Sequence, residues 1–359
     1  MGAYYFQVLI LFVLTGICLM LSSGGRRWIS LCVFLLFLFF FSVRHESVGA
    51  DTGAYIDIFE RVSESNWGDL IFGNGIGYFD VDRLEKGFLV LMKVVSEISS
   101  STLFMFMIVG TIVLLPLSLM VICQSKSQML YWATYLGVGY YSVHFYILRQ
   151  CIAEVFCLIS LKFLIEKRAY CFVLSVIAAS LFHKSALVWM IMWPLYKFYA
   201  KFDRNWVLIF VAPLLVYFFG RDFVFLFADL FGYGHYFGGR HDVAHDPGFG
   251  VIMYYSFLVL SFIYVYKNRS LTEFEKISYI CLVVGVCFNL LSYSSQIVLR
   301  LSWYFIPFYL IIVTNAVVEV FKRYGPPVWV VWWTFFVCFF LFRIARSSDG
   351  MYPYLFYWN

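Results

Sequence analysis

LFMFMIVGTIVLLPLSLMVIC, Leu103 to Cys123, carries no charged residue. The hydrocarbon core of a bilayer is about 30 Å thick, and about 20 helical residues span it. A run this apolar has lipid as its natural solvent, and the rest of the chain repeats it. Comparable runs occur at Ala3–Leu21, Trp28–Val43, Met129–Leu148, Cys151–Ile165, Tyr170–Phe182, Ser185–Phe198, Trp206–Phe219, Phe249–Tyr266, Ile277–Leu291, Leu301–Val320 and Val328–Phe342. The expected fold is all-α: a polytopic transmembrane helical bundle of about ten to twelve spans. It is expected to be one multi-pass domain over residues 1–359, with no internal repeat.

Composition agrees. Of 359 residues 63% are apolar and 13% charged, against about 25% charged in soluble domains. The many Phe, Tyr and Trp suit acyl chains and headgroup layers. The net charge of +5 is scattered along loops rather than gathered on one face, so nucleic acid is not an expected partner and membrane lipid is. The cysteines sit almost all inside apolar runs without a CxxC, and read as small packing residues. Ala3–Leu21 follows no basic stretch and precedes no small-residue cleavage site, so it reads as a retained helix.

Lys and Arg set the orientation. Arg26 and Arg27, Lys126, Lys167 and Arg168, Lys197 to Arg204, Lys267 to Lys276, and Lys322 with Arg323 fall in compact alternate loops, expected on the cytoplasmic side. Both termini are then outside, as are two larger loops. Residues 44–102 hold an amphipathic stretch (Tyr55, Ile58, Phe59, Val62), a Gly-rich turn at Phe72–Phe79 and an apolar segment, Phe88–Ile98, interrupted by Lys93 and Glu97, which suits interfacial helices. Residues 220–248 form the second. Tyr170–Phe182 and Ser185–Phe198 are short arms of a hairpin with His183 and Lys184 at its turn. Irregular backbone at that depth is tolerated where protein or an aqueous cavity surrounds it.

Cations at outer helix ends carry the chemical signal: Arg44, Arg149, Lys184 and Arg300. Outward loops normally avoid Lys and Arg, and ionisable groups at a membrane rim are costly. One anionic ligand would explain them together, since the guanidinium fork grips phosphate oxygens in pairs. Snorkelling to headgroups is the alternative for each alone. Asp51 and Glu85 are candidate proton acceptors, and His183 a base or a donor to phosphate. Glu154, about one turn beyond Gln150, is expected to pair with Arg149 or Lys184. His241 and His245 in GGRHDVAHDPGFG have metal-ligand spacing, but glycines and a proline interrupt any helix there, so no metal site is expected. Nor is there a phosphate loop, a GxSxG or an HExxH, and no cofactor is expected.

The same residues carry a resemblance. RHESVGADTGAY (Arg44–Tyr55) resembles the R-x-V-G-x-D-x-x-x-Y motif after the second span of EpsG-type polymerases of exopolysaccharide and O-antigen. Here His45, Glu46 and Ser47 separate Arg44 from Val48-Gly49. EKGF (Glu85–Phe88) is similar to the family's E-x-G-F, LRQCIA (Leu148–Ala153) to L-R-Q-x-I-A, AASLFHKSAL (Ala178–Leu187) to A-x-x-x-H-x-S-A-L, and RLSWYF (Arg300–Phe305) to R-x-x-x-Y. The motifs run in family order. The resemblance implies a Wzy-like glycosyltransferase of GT-C type with an outer-face cavity, in the bacterial plasma (inner) membrane. It implies undecaprenyl-diphosphate-linked glycans as substrates and a chain-length regulator protein as partner. Asp51, Glu85 and His183 would be catalytic. Arg44, Arg149, Gln150, Lys184 and Arg300 would hold the diphosphate, and Tyr55 and Tyr304 are further substrate-binding candidates. The alternatives are an O-antigen ligase, and a flippase or transporter for the lipid-linked unit.

Overall fold

The computed structural model describes residues 2–20, 23–72, 84–199, 205, 209–220, 248–292, 296–346 and 350–358. Most of the Gly-rich turn after Phe72, and the loop bearing Arg221, Arg240, His241 and His245, lie outside them, as do Lys201, Arg204 and the start of Trp206–Phe219. Among the described residues the protein is an all-α polytopic membrane bundle, and the pairing of extended backbone is a single antiparallel bridge between Arg44 and Phe356. Thr102–Gln124, Gly250–Lys267, Glu273–Leu291 and Pro326–Arg346 are long and apolar enough to cross a membrane, and Gly2–Thr15, Trp28–Ser42, Ala169–Ser180, Ile209–Gly220 and Ile306–Val320 are shorter apolar helices.

The chain folds as two compact units. The first comprises Met1–Phe163, Tyr170–Leu187 and Val330–Asn359, the second Leu164–Ala169 and Val188–Trp329.

In the first unit, α1 (Gly2–Met20) and α2 (Ser23–Ser42) precede two short helices, α3 (Thr52–Glu64) and α4 (Trp67–Phe72); α5 (Lys86–Ile98) leads into α6 (Thr102–Gln124). α2 packs along α6. The amphipathic stretch forms α3 as expected, burying Thr52, Tyr55, Ile58, Phe59 and Val62. That face packs on α5, which buries Phe88, Leu89, Met92 and Val95. Lys93 is buried too. It is neutralised by Glu97 at 2.9 Å, and its ammonium donates to the Ser63 carbonyl at 3.1 Å, tying α5 to the end of α3.

Met129–Leu148 departs from expectation. It is not one span but α7 (Gln128–Gly137) and a single turn, α8 (Tyr140–Val143). The break is at Gly139, whose φ of 80° is unfavourable for side chains with a Cβ. The freed Val138 carbonyl accepts from the Arg343 guanidinium. Almost every residue here is buried in protein. Tyr141 donates to the Phe37 carbonyl at 2.8 Å, and Trp132 to Ser30 Oγ at 3.2 Å. Broken backbone within a membrane protein is stable where such protein partners satisfy it.

α9 (Leu148–Ile165) starts three residues before the expected span, so Arg149 and Gln150 sit in its first turn. α10 (Ala169–Ser180) ends at the hairpin turn, and the return arm begins as a 3-10 helix, Lys184–Ile191.

Residues 350–358 pack against the start of this unit. Tyr4 donates to the Met351 carbonyl at 2.7 Å, His45 N to Leu355 O at 3.0 Å and Gly49 N to Gly350 O at 3.0 Å. Tyr354 donates to the Phe40 carbonyl. The start of α1, the end of α2 and residues 350–358 therefore meet at one end, and the expected orientation likewise puts all three on one side.

In the second unit Glu273–Leu291 packs against Gln296–Trp303 and Ile306–Val320, and Gly248–Lys267 packs on Ile306–Val320. Thr272 and Glu275 form a reciprocal capping box at the start of Glu273–Leu291. The buried Glu275 accepts from Tyr264 at 2.7 Å and Asn315 at 3.1 Å. The expected Leu301–Val320 span is split, with Pro307 in the first turn of its second helix, where a missing N–H costs least.

Candidate functional site

Glu85 is the residue on which the motifs converge. It is the N-cap of α5 and almost wholly buried. Its position depends on Gly87. The Gly87 N–H donates to the Leu181 carbonyl at 2.9 Å, and a Cβ on Gly87 would meet that oxygen at 2.6 Å. Only glycine allows α5 to begin this close to the hairpin turn. Phe88 is fully buried, with its ring edge-on to Tyr55 at 5.7 Å. The E-x-G-F string is thus a carboxylate, a close approach and an anchor.

Three donors meet the Glu85 carboxylate. Arg149 Nη1 reaches Oε2 at 2.5 Å, His183 Nδ1 lies 2.9 Å from Oε1, and the Lys184 backbone N–H donates to Oε1 at 3.2 Å. Burial pushes this carboxyl up, but the His183 hydrogen bond and the Arg149 charge outweigh it and hold the group down at about 2. Arg149 also hydrogen-bonds the Tyr55 hydroxyl. Burial pushes that hydroxyl above its ordinary range against the pull of Arg149, so Tyr55 stays protonated and donates to the Tyr146 carbonyl at 3.5 Å. Asp51 lies one turn before Tyr55 at the N-cap of α3, exposed, with no capping bond from its side chain.

The first unit therefore brings Tyr55, Glu85, Arg149, His183 and Lys184 into one network from four separate motifs, with the exposed Asp51 one turn from Tyr55. Its centre is buried and its rim is not: the side chains of Arg149 and His183 are 25% and 20% exposed, and Lys184 is exposed. An anion arriving there meets an oriented guanidinium and an ammonium at a protein surface of reduced dielectric.

Several expectations need correction. Glu85 is poorly placed as a proton acceptor: three donors already bond it, and a carboxyl held down at about 2 is a weak base near neutral pH. Arg44 does not reach a surface. It is 1% exposed, with its guanidinium over the rings of Phe106 (3.8 Å), Phe41 (4.3 Å) and Phe145 (5.0 Å). It donates to the Phe41 carbonyl and to Thr52 Oγ1, the latter at 3.3 Å, so its role is to join α2 to α3. Gln150 also turns inward, donating to Glu154 at 3.4 Å. Glu154 pairs with neither Arg149 nor Lys184: it is buried, with Gln150 and Tyr140 as hydrogen-bond partners. Arg300 and Tyr304 belong to the second unit, Arg300 exposed on Gln296–Trp303 and Tyr304 fully buried.

Sequence reading missed the lining of Arg44 and the buried polar cluster beside Glu154, where donor atoms of His144, Cys151 and Glu154 approach within 4.8 Å and Tyr135 bonds His144 at 2.9 Å. The density of tyrosines in TYLGVGYYSVHFY was the available signal, because a buried phenol needs a partner.

No curated protein and no solved structure matches the chain. The model of the EpsG family matches residues 27–356, a range that includes every residue of this network. With that match over most of its length, the chain belongs to the EpsG family.

Proposed function

We propose that this protein is a glycosyltransferase of GT-C type that polymerises polysaccharide at the outer face of the bacterial plasma membrane. Its donor is a growing glycan on undecaprenyl diphosphate, and its acceptor a sugar hydroxyl of the next lipid-linked repeat unit. The observation that carries this reading is the Arg149 guanidinium held on Glu85 in a membrane bundle, beside the exposed Lys184, whose backbone N–H bonds the same carboxylate. A lipid diphosphate leaving group needs positive charge that is already oriented when the glycosidic bond breaks. A site at the rim lets the prenyl chain stay in lipid while the glycan stays in water. Membership of the EpsG family supports polysaccharide synthesis as the process.

Deletion of the gene, followed by surface glycan profiling, tests this. Cells lacking the protein should carry acceptors capped with a single repeat unit, and the wild-type protein should restore the ladder. Loss of all glycan from the surface acceptor would instead mean a ligase. Lipid-linked units trapped on the inner face would mean a flippase.

A further inference from the structure

Three groups in or beside the network are candidates to accept a proton: Asp51, Glu85 and His183. The bonding of Glu85 removes it from that task. An ionised carboxylate only accepts hydrogen bonds. The 2.9 Å contact between Glu85 Oε1 and His183 Nδ1 therefore fixes a hydrogen on Nδ1. In the neutral ring the basic lone pair is then on Nε2. A second contact fixes the ring's place in the chain, because the Lys184 N–H bonds the same oxygen. Glu85 thus sets both the tautomer and the orientation of the imidazole, as the carboxylate does in a Ser-His-Asp triad.

We propose that His183, through Nε2, is the general base that takes the proton of the acceptor hydroxyl, and that Glu85 is its positioning residue. This rests on the lipid-diphosphate transferase reading above. The acceptor O–H bond gives its proton to Nε2, and the oxygen forms a new bond to the anomeric carbon of the donor. The bond from that carbon to the diphosphate oxygen breaks, and its electron pair leaves with the lipid diphosphate. Arg149 and Lys184 meet the resulting charge. The imidazolium then carries the proton, and Glu85 beside it stabilises that charge.

The charged and titratable groups around the ring are consistent with this division. Glu85 faces it from the N-cap of α5, and Lys184 follows it in the chain. Arg149 of α9 is engaged on the other oxygen of Glu85. Tyr55 of α3 bonds Arg149, and Asp51 lies beyond it. One carboxylate therefore couples the base to the anion clamp, so loss of Glu85 should damage both, whereas loss of His183 should damage only proton transfer.

The test is kinetic, on the detergent-purified full chain with a polyprenyl-diphosphate-linked oligosaccharide. His183→Gln keeps a donor for Glu85 and should lower kcat about 10²- to 10⁴-fold, leaving the donor KM within about twofold. Glu85→Gln should lower kcat and raise the donor KM together. Added imidazole should restore part of the rate to His183→Gly and none to Arg149→Ala. Wild-type kcat in His183→Gln, or imidazole without effect on a folded, slowed His183→Gly, overturns the proposal. If the wild-type protein does not extend this substrate at all, the transferase reading itself fails.

Discussion

Arg44 and Arg149 both stand where a helix meets a loop, and both belong to motifs of the same family, yet their surroundings differ in kind. Arg44 is enclosed by three phenylalanine rings, and its Nε and Nη1 donate to Thr52 and to the backbone of α2. Arg149 is paired with a carboxylate and keeps a quarter of its side chain exposed. A guanidinium over aromatic faces is weakly hydrated and suited to burial. One held by a carboxylate at a surface is oriented but still able to meet an anion. The same residue type at equivalent places is thus a buried strut in one region and, in the function proposed above, a partly exposed clamp in the other. What decides is the company each keeps: Phe41, Phe106 and Phe145 around Arg44, Glu85 and Tyr55 around Arg149.

The largest expected effect falls on the clamp. Arg149→Ala should reduce polymerisation by about 10²- to 10³-fold at matched protein levels, and Arg149→Lys should fall between, because the fork is lost and the charge kept. Wild-type chain lengths from both variants would erase the distinction from Arg44.

The strut should respond in stability. Arg44→Ala is expected to cost about 3 kcal/mol, as for large-to-small changes in a packed core, seen as a lower Tm in detergent. A fully stable Arg44→Ala protein that makes no polymer would show that the buried arginine belongs with the clamp.

Gly87→Ala probes the joint between α5 and the hairpin. Relief of the clash with the Leu181 backbone should cost about 1–3 kcal/mol and pull Glu85 from His183, lowering polymerisation about tenfold. Unchanged chain lengths would mean that the register of α5 is not what aims Glu85.

A smaller effect follows from pH. The Glu85 carboxyl is held below its unfolded value, about 2 against 4.5, so its stabilising contribution is present above pH 4.5 and is lost as pH falls toward 2. The stability gap between wild type and Glu85→Gln should therefore persist at and above pH 5 and close as pH falls below 4.5. A gap closing already between pH 7 and 5 would contradict the assigned bonding.

The smallest effect belongs to Lys184→Gln. An exposed ammonium contributes little at physiological salt, so a two- to fivefold loss is expected at about 0.15 M and a larger one at low salt. A salt-independent loss would point to a direct hydrogen bond instead.

The spans were legible because length and apolarity suffice for them: Leu103–Cys123 became Thr102–Gln124, and Val328–Phe342 became Pro326–Arg346. The face of α3 was legible from its periodicity. Met129–Leu148 misled because composition does not distinguish lipid from protein as the apolar surrounding, and Tyr-rich, Gly-broken α7–α8 is surrounded by protein. The members of the site were readable as polar residues out of place. Their division of labour was not, because it depends on contacts such as Glu85 to His183, 98 residues apart.

The packing of residues 350–358 has a consequence for biosynthesis. Tyr354 closes on Phe40 across 314 residues, and the same segment bonds His45 and Gly49, the latter two residues before Asp51. At about 5–20 residues per second a ribosome needs roughly 15–60 s to bridge that interval. Throughout that time α2 and the loop after it are already inserted but have no partner for this edge. The first motif to be translated is thus among the last to be braced, and a nascent chain stalled near residue 345 would hold all of the network's residues while lacking the segment that pins their first loop.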